Sequence, residues 1–335
     1  MWWIKYFLPR LLQFFIVVFV GITLVFIIPR LVTSNNPVQQ VINNINTQGA
    51  FMSPSAVAQL RNSLEELYGL KGSMLTQYLD LWGRLFHGNF GPSLSAFPTP
   101  VIKLIETALP WTIFLVVLTV VISWIIGLIA GGIAAFLPMH LGTKIMERLA
   151  LILWPIPYYV FALIVLIMFG VIIPIFPLSG GYSMTVNIGL NWNFITSALY
   201  YAFLPALSLI LLGIAGWFIS TRLIASNIVS EDYVIYAETG GVSRSKIIFK
   251  YIIRNALLPQ ATGLALSLGQ SLSGVLITEI VFSYPGVGTL LYHAIVSNDY
   301  NLIMGITALS IIGIAVGVLI MDLLYPLIDP RIRYS

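Results

Sequence analysis

Cysteine is absent from all 335 residues, which excludes disulfides, thiolate metal centres and cysteine redox couples. Charge is scarce as well: Asp, Glu, Lys and Arg make up 8% of the chain, against roughly 25% in a soluble domain. Hydrophobic residues make up 59%, so the chain cannot cover a soluble surface and reads as an integral membrane protein. Its net charge of +4 comes without a basic run that could track phosphates, which excludes a nucleic-acid partner. No G-x-x-x-x-G-K-[ST] cradle is present, so this chain offers nucleotide no phosphate loop. The only histidines are His87, His140 and His293, with no H-E-x-x-H and no pair at helical spacing to hold a metal. Neither a G-x-S-x-G elbow nor a paired intramembrane aspartate occurs, so no residues are candidates for catalysis.

What the chain does have is long apolar intervals. A membrane helix needs about 20 such residues, and six intervals supply them, near 9–31, 108–137, 147–173, 199–222, 260–284 and 302–326. The expected fold is therefore all-α, a polytopic bundle of six transmembrane helices forming one domain over 1–335. Lys5 and Arg10 precede a charge-free run from Leu11 to Pro29 without an A-x-A site, which reads as an uncleaved first span. From Leu149 to Thr221 there is no charge at all. Pro174, Pro177, Gly180, Gly181, Asn187, Asn191 and Asn193 divide this interval into two spans with a loop between them.

Lys144 and Arg148, the Arg222 to Arg254 stretch, and Arg331 with Arg333 mark one side of the membrane, whereas 174–198 and 285–301 carry no Lys or Arg. By the positive-inside rule both termini are cytoplasmic. The 32–107 segment is then extracytoplasmic, and it is too long for its basic residues to direct topology. Ser53-Pro54 starts a helix with Leu60, Leu64 and Leu67 at helical spacing, and Met74–Phe86 aligns Leu75, Tyr78, Leu79, Trp82 and Leu85. Thr99-Pro100 starts a third helix, ending at Leu109-Pro110. These helices read as a cap lying on the mouth of the bundle.

Inside the spans, Pro155, Pro157 and Pro205 are expected to kink their helices. Gly127-x-x-x-Gly131 and Gly313-x-x-x-Gly317 are expected to let neighbouring helices pack closely. Leu178-Ser179-Gly180-Gly181-Tyr182 reads as a glycine turn closing an apolar loop. Two carboxylates fall within spans, where each costs on the order of 3 kcal/mol at the bilayer centre unless partnered. Asp322 is expected to pair with Arg331 or Arg222. For Glu279 the residues leave two readings open, a gate or pathway residue, or a carboxylate binding amides of the Phe282 to Gly288 turn.

The polar exception is Glu231 to Pro259, EDYVIYAETGGVSRSKIIFKYIIRNALLP, with three acidic and four basic residues. Tyr233 to Thr239 suits a helix, Gly240-Gly241 can turn at positive φ, and Ser243 can cap a second helix from Arg244 towards Asn255. Two short helices at a glycine corner form an elbow suited to docking into another protein.

Asp232, Tyr233, Val234, Ala237 and Gly241, followed by Arg254, Asn255, Ala256, Leu257, Leu258 and Pro259, resemble the EAA-type loop of ABC importer permeases of the oligopeptide, dipeptide and nickel branch. YFLPRLLQFFIVVF, LYGL, GNFGPSL, PIFPLSGGY, TEIVFSYPGVGTLLYHAI with NDY, and YPLIDPRIRY extend this resemblance over most of the chain in family order. Two places depart from it: Glu238, Thr239 and Gly240 stand where the family has an R-A-K run, and Thr33 to Pro37 opens an Asn-rich insertion over 35–50.

The resemblance implies a non-enzymatic permease subunit of an ATP-driven importer. Its implied partners are a second homologous permease or a second copy of the chain, two ABC ATPases that bind ATP and Mg²⁺, and a solute-binding protein. Peptides, nickel or oligosaccharides are the implied cargo. Residues 223–259 would be the ATPase-coupling loop, with Asp232, Tyr233, Ala237, Glu238, Gly241 and Arg244 as docking residues. The competing reading from another class is a secondary transporter or channel acting alone, which would show inverted repeats and intramembrane ion-binding groups.

Overall fold

The computed structural model describes residues 7–31, 38, 42, 53–67, 69 and 71–328. Every regular element among them is helical. In chain order these are α1 (Leu8–Leu31), α2 (Pro54–Leu67), α3 (Met74–Phe86), α4 (Val101–Phe136), α5 (Leu141–Leu153), α6 (Tyr158–Leu166), α7 (Trp192–Val229) and α8 (Asp232–Thr239). They are followed by α9 (Arg244–Lys246), α10 (Arg254–Gly274), α11 (Leu276–Val281), α12 (Val287–Val296) and α13 (Tyr300–Ile328). Outside the described residues lie Arg331, Arg333, the side chain of Leu67, and all of the Asn-rich 35–50 stretch except 38 and 42.

Among the described residues, four helices, α1, α4, α7 and α13, are long and apolar enough to cross a membrane, and α5 with α6 forms a fifth candidate bent by 105°. The bend falls at Trp154 to Pro157, where two prolines each remove a backbone donor, so the expected kink is a full break. The segment expected as span five is also interrupted. α10 stops at Gly274 and the chain continues as the short α11. By contrast α4 runs through Pro110 without stopping, so the helix expected to end there is the first part of a 36-residue helix. Pro205 is likewise carried within the 38-residue α7, which Asn191 starts by accepting the Phe194 N–H at 2.8 Å.

The helix boundaries before α4 follow their caps. Ser53 Oγ accepts from the Ala56 N–H at 3.3 Å and Ser73 Oγ from that of Thr76 at 3.3 Å, the side-chain bonds that start α2 and α3. On α2, Leu60 and Leu64 pack in a small cluster with Val38 and Ile42. The apolar stripe of α3 differs from the expected one and lies on the flank of α1, not across the mouth of the bundle. Tyr78 shares a 2.6 Å hydrogen bond with Thr23, and Trp82 stacks on Phe19 at 5.8 Å between centroids. Leu81 and Leu85 turn inward beside Trp82, while Leu75 and Leu79 stay exposed.

Asp299 ties this region to α13. Fully buried, it accepts hydrogen bonds from the hydroxyls of Ser93 and Ser95 and from the Ser95 N–H at 2.9 Å. Its other oxygen caps α13 through the Leu302 N–H at 3.1 Å. At the far end of α13, Asp322 pairs with Arg10 of α1 at 3.2 Å; of its two expected partners, Arg331 lies outside the described residues. Arg222 pairs instead with Glu147 of α5.

α4 and α7 form the most extensive helix pair in the bundle, and glycine permits their approach. A Cβ at Gly127 would stand 2.4 Å from that of Trp217, and one at Gly131 2.7 Å from that of Thr221 and 2.8 Å from the Phe218 carbonyl oxygen. The neighbouring Gly132 admits Ile253, which a Cβ would meet at 2.5 Å. Gly313 and Gly317 differ from the expectation, since among the described residues no neighbouring helix comes within 4 Å of a Cβ at either position.

Gly131→Val therefore tests the crossing. It should cost at least about 2 kcal/mol by overpacking, read as a lower thermal midpoint of the purified chain in detergent. Gly313→Ala should be neutral or stabilising by up to about 1 kcal/mol, since it adds a better helix former into open space.

Candidate functional site

α8 is held in place by its ends and its inner face. Asp232 lies in its first turn, where a carboxylate complements the helix dipole. At its other end the Val242 N–H reaches the Ala237 carbonyl at 3.0 Å and the Gly241 N–H that of Glu238 at 3.1 Å. These are the two bonds of a Schellman motif, and Val242 adds the accompanying apolar contact with the Ala237 cluster. The motif requires one residue in the left-handed region. Gly241 supplies it at φ +77°, while Gly240 is an ordinary turn residue at φ −74°.

The structure separates the expected docking residues into two groups. Val234 and Ala237, three apart, are 1% and 8% exposed and pack against Ala135 of α4, Ala225 of α7, Ile247 and Ile252. Ala237 therefore anchors the elbow to its own bundle, a correction to its expected place on the docking surface. Asp232, Tyr233 and Glu238 remain on the outer face with Ile235 and Tyr236. Tyr236, 74% exposed, is the largest outward group, and sequence reasoning missed it. Its i, i+3 relation to Tyr233 was the available signal. Burial, and then the neighbouring Glu231 carboxylate, push the Tyr233 phenol above its usual range. Arg244 is exposed on the far side of the corner.

Beyond the corner the second helix departs from the expectation. Ser243 makes no side-chain capping bond, and after α9 the chain forms a π-helical stretch, Ile247–Ile253, that passes unbroken into α10. Ile247, Ile248, Ile252 and Ile253 are all buried, so the isoleucine doublets recur after five residues, the interval of i→i+5 bonding. The elbow is thus continuous with α10 on one side, and only a two-residue turn separates it from α7 on the other.

At the opposite end of the bundle, the fully buried Glu279 of α11 joins three elements. One oxygen accepts from the Thr112 hydroxyl of α4 at 2.7 Å and the other from the Gly288 N–H of α12, also at 2.7 Å. Thr112 in turn accepts from the Val287 N–H at 2.8 Å. A Cβ at Gly286 would fall 2.2 Å from the carboxylate, so glycine is what lets the turn close around it. The Leu178 to Tyr182 loop packs over this turn. Gly180 N–H donates to the Phe282 carbonyl at 3.1 Å, and Trp111 stacks on Tyr182 and meets Tyr284 edge-on.

Glu279→Ala would leave the Thr112 hydroxyl and the Gly288 amide without their buried acceptor, at a cost of about 2–4 kcal/mol in thermal unfolding in detergent. Thr112→Ser, which can keep both of its bonds, should cost less than about 1 kcal/mol. A negligible loss for Glu279→Ala would show that the carboxylate does not hold these elements together.

Relatives can be compared against this geometry. The family model described as binding-protein-dependent transport system inner membrane component matches residues 127–334, from the α4 glycines through the elbow and Glu279. The chain is similar to the oligopeptide transport system permease protein AppB of Bacillus subtilis (strain 168), at 32% identity over 283 residues, covering 84% of this chain and 88% of that protein. It is also similar to the di/tripeptide transport system permease protein DppB of Pseudomonas aeruginosa (strain UCBPP-PA14), at 30% identity, covering 98% and 99%. The dipeptide transport system permease protein DppB of Lactococcus lactis subsp. cremoris (strain MG1363) shares 26%, again over 98% and 99%. With an apolar multi-helix bundle, an exposed elbow between two of its long helices, and these matches, the chain belongs to the binding-protein-dependent transport system inner membrane components, the permease subunits of ABC importers.

Proposed function

We propose that this transport subunit, which is not itself an enzyme, forms half of the pathway of a peptide importer in the cell membrane. A second homologous permease would form the other half. Two ABC ATPases would bind ATP and Mg²⁺, and an extracytoplasmic solute-binding protein would deliver cargo. Peptide is preferred over oligosaccharide or nickel because the compared relatives are named for oligopeptide, dipeptide or tripeptide transport.

The observation that carries the reading is the elbow. α8 has an inner face fixed on α4 and α7 and an outer face of Tyr233, Ile235, Tyr236, Asp232 and Glu238, left open as a docking surface. In this reading α8 lies on the cytoplasmic side and inserts into a groove of an ATPase, with Arg244 at the rim. Movement of the ATPase is then passed directly to α7 and α10. Both termini lie on that same side, as the positive-inside pattern supports. Residues 1–335 make one permease domain, 32–107 the outer insertion and 223–259 the coupling loop. Glu279 acts as a positioning residue of the outer gate, holding α11 and α12 against α4.

Uptake of a labelled peptide into proteoliposomes should require the permeases, ATPases, ATP and binding protein together. Gradient-driven uptake by this chain alone would instead support a secondary transporter. Tyr236→Ala should weaken ATPase association by about tenfold or more, the effect of losing an aromatic anchor. Gly241→Leu forces a bulky residue into the left-handed region at a cost of about 1–2 kcal/mol, and should uncouple ATP hydrolysis from uptake. Wild-type association and coupling in both variants would remove the docking assignment.

A further inference from the structure

Midway along α4, where it meets α6, α7 and α10, lies a cavity of about 100 Å³ whose lining includes Thr119, Ser123, Tyr158, Trp217, Ser267 and Val275. It has room for several waters or one side-chain-sized group, but not for a whole peptide. Hydroxyl groups at this depth of a membrane bundle are costly unless they meet protein or water, and polar groups so placed commonly mark a substrate path.

The hydroxyls here are of two kinds. Thr119 donates to the Leu115 carbonyl at 2.7 Å and Ser123 to that of Thr119 at 2.6 Å, so each has its proton engaged and lone pairs left over. Among the described residues, the hydroxyls of Tyr158 and Ser267 have no hydrogen-bond partner, so their protons are free to be donated. Donors and acceptors therefore lie side by side in a region without formal charge. α4 has no Asp, Glu, Lys, Arg or His after Glu106, α6 has none, and α10 has none after Arg254. Such a lining suits an amide or hydroxyl, which both gives and takes a hydrogen bond, and disfavours a desolvated ammonium or carboxylate. Tyr158 is also the first residue of α6 after the 105° break, so part of the cavity wall lies at a joint between helices.

We propose that this cavity is a cargo contact site that takes one uncharged amide- or hydroxyl-bearing group of a peptide in transit. The inference rests on the peptide-import reading. It implies that the permease holds cargo by groups common to all peptides and leaves side-chain choice to its partners.

Because this chain has no cysteine, an introduced thiol is the only one it carries. Ser267→Cys would be introduced into the full transporter in proteoliposomes and treated with a membrane-impermeant methanethiosulfonate, with and without tetra-alanine on the binding protein. The residue should react, and tetra-alanine should slow the reaction several-fold. Ser267→Trp, which fills the space, should lower tetra-alanine uptake by about tenfold or more, with the yield of assembled complex reporting on folding. Reaction only with a lipid-soluble maleimide, or no protection by a peptide that the wild type does transport, overturns the cavity proposal alone. So does wild-type uptake by an assembled Ser267→Trp complex. Failure of the wild-type transporter to take up tetra-alanine would count against the peptide-import reading, and the cargo assignment would fall with it.

Discussion

Close contact between helices at the glycines of α4 is the constraint on which the rest of the molecule depends. Lipid tails are as apolar as leucine, so helices in a bilayer associate through packing and hydrogen bonds more than through exclusion of water. Gly127 and Gly131 bring α7 against α4, and Gly132, on the next facet, admits Ile253 from the stretch leading into α10. One short run of small residues therefore fixes both helices that flank the elbow. α8 then needs little stability of its own, because Val234 and Ala237 sit on the surface that those contacts create.

The few charges are placed where they join elements distant in sequence. Glu279 and Asp299 are both fully buried and both bound by donors from the chain just before or within the start of α4. Arg10 with Asp322, and Arg222 with Glu147, do the same at the elbow end. Breaking such a buried contact leaves an uncompensated polar group, whereas exposed pairs are worth only about 0–1 kcal/mol. The two ends of the bundle are thus tied separately, and the hydroxyl-lined middle carries no charge.

What could be read from the sequence was what is encoded locally. Hydropathy gave the all-helical membrane class, and Ser53-Pro54 gave a helix start that its hydrogen bond bears out, whereas Ser73 and Asn191, which cap helices in the same way, were not read as starts. The elbow was legible because three acidic and four basic residues stand out in a chain with so few. What escaped depended on contacts across long separations or on the balance between propensity and packing. Thr112 lies 167 residues from Glu279, and no local signal joins them. Pro110 looked like a stop, yet one lost backbone bond is a small penalty within a helix held by packing along its length. Ala237 looked like docking surface, because periodicity shows that a face exists but not which way it turns. The isoleucine doublets carried the π-helical signal, but a five-residue interval is easily read as ordinary helix.

Asp299 also has a consequence in time. Its partners Ser93 and Ser95 precede it by 206 and 204 residues, and synthesis at roughly 5–20 residues per second puts about 10–40 s between them. Throughout that interval the serine loop waits without its carboxylate while α4 to α12 are made and inserted. The bond can close only when α13 begins to emerge. A chain that stalls before its last span leaves the loop unmoored, so the same contact that fastens the finished bundle also distinguishes complete molecules from truncated ones.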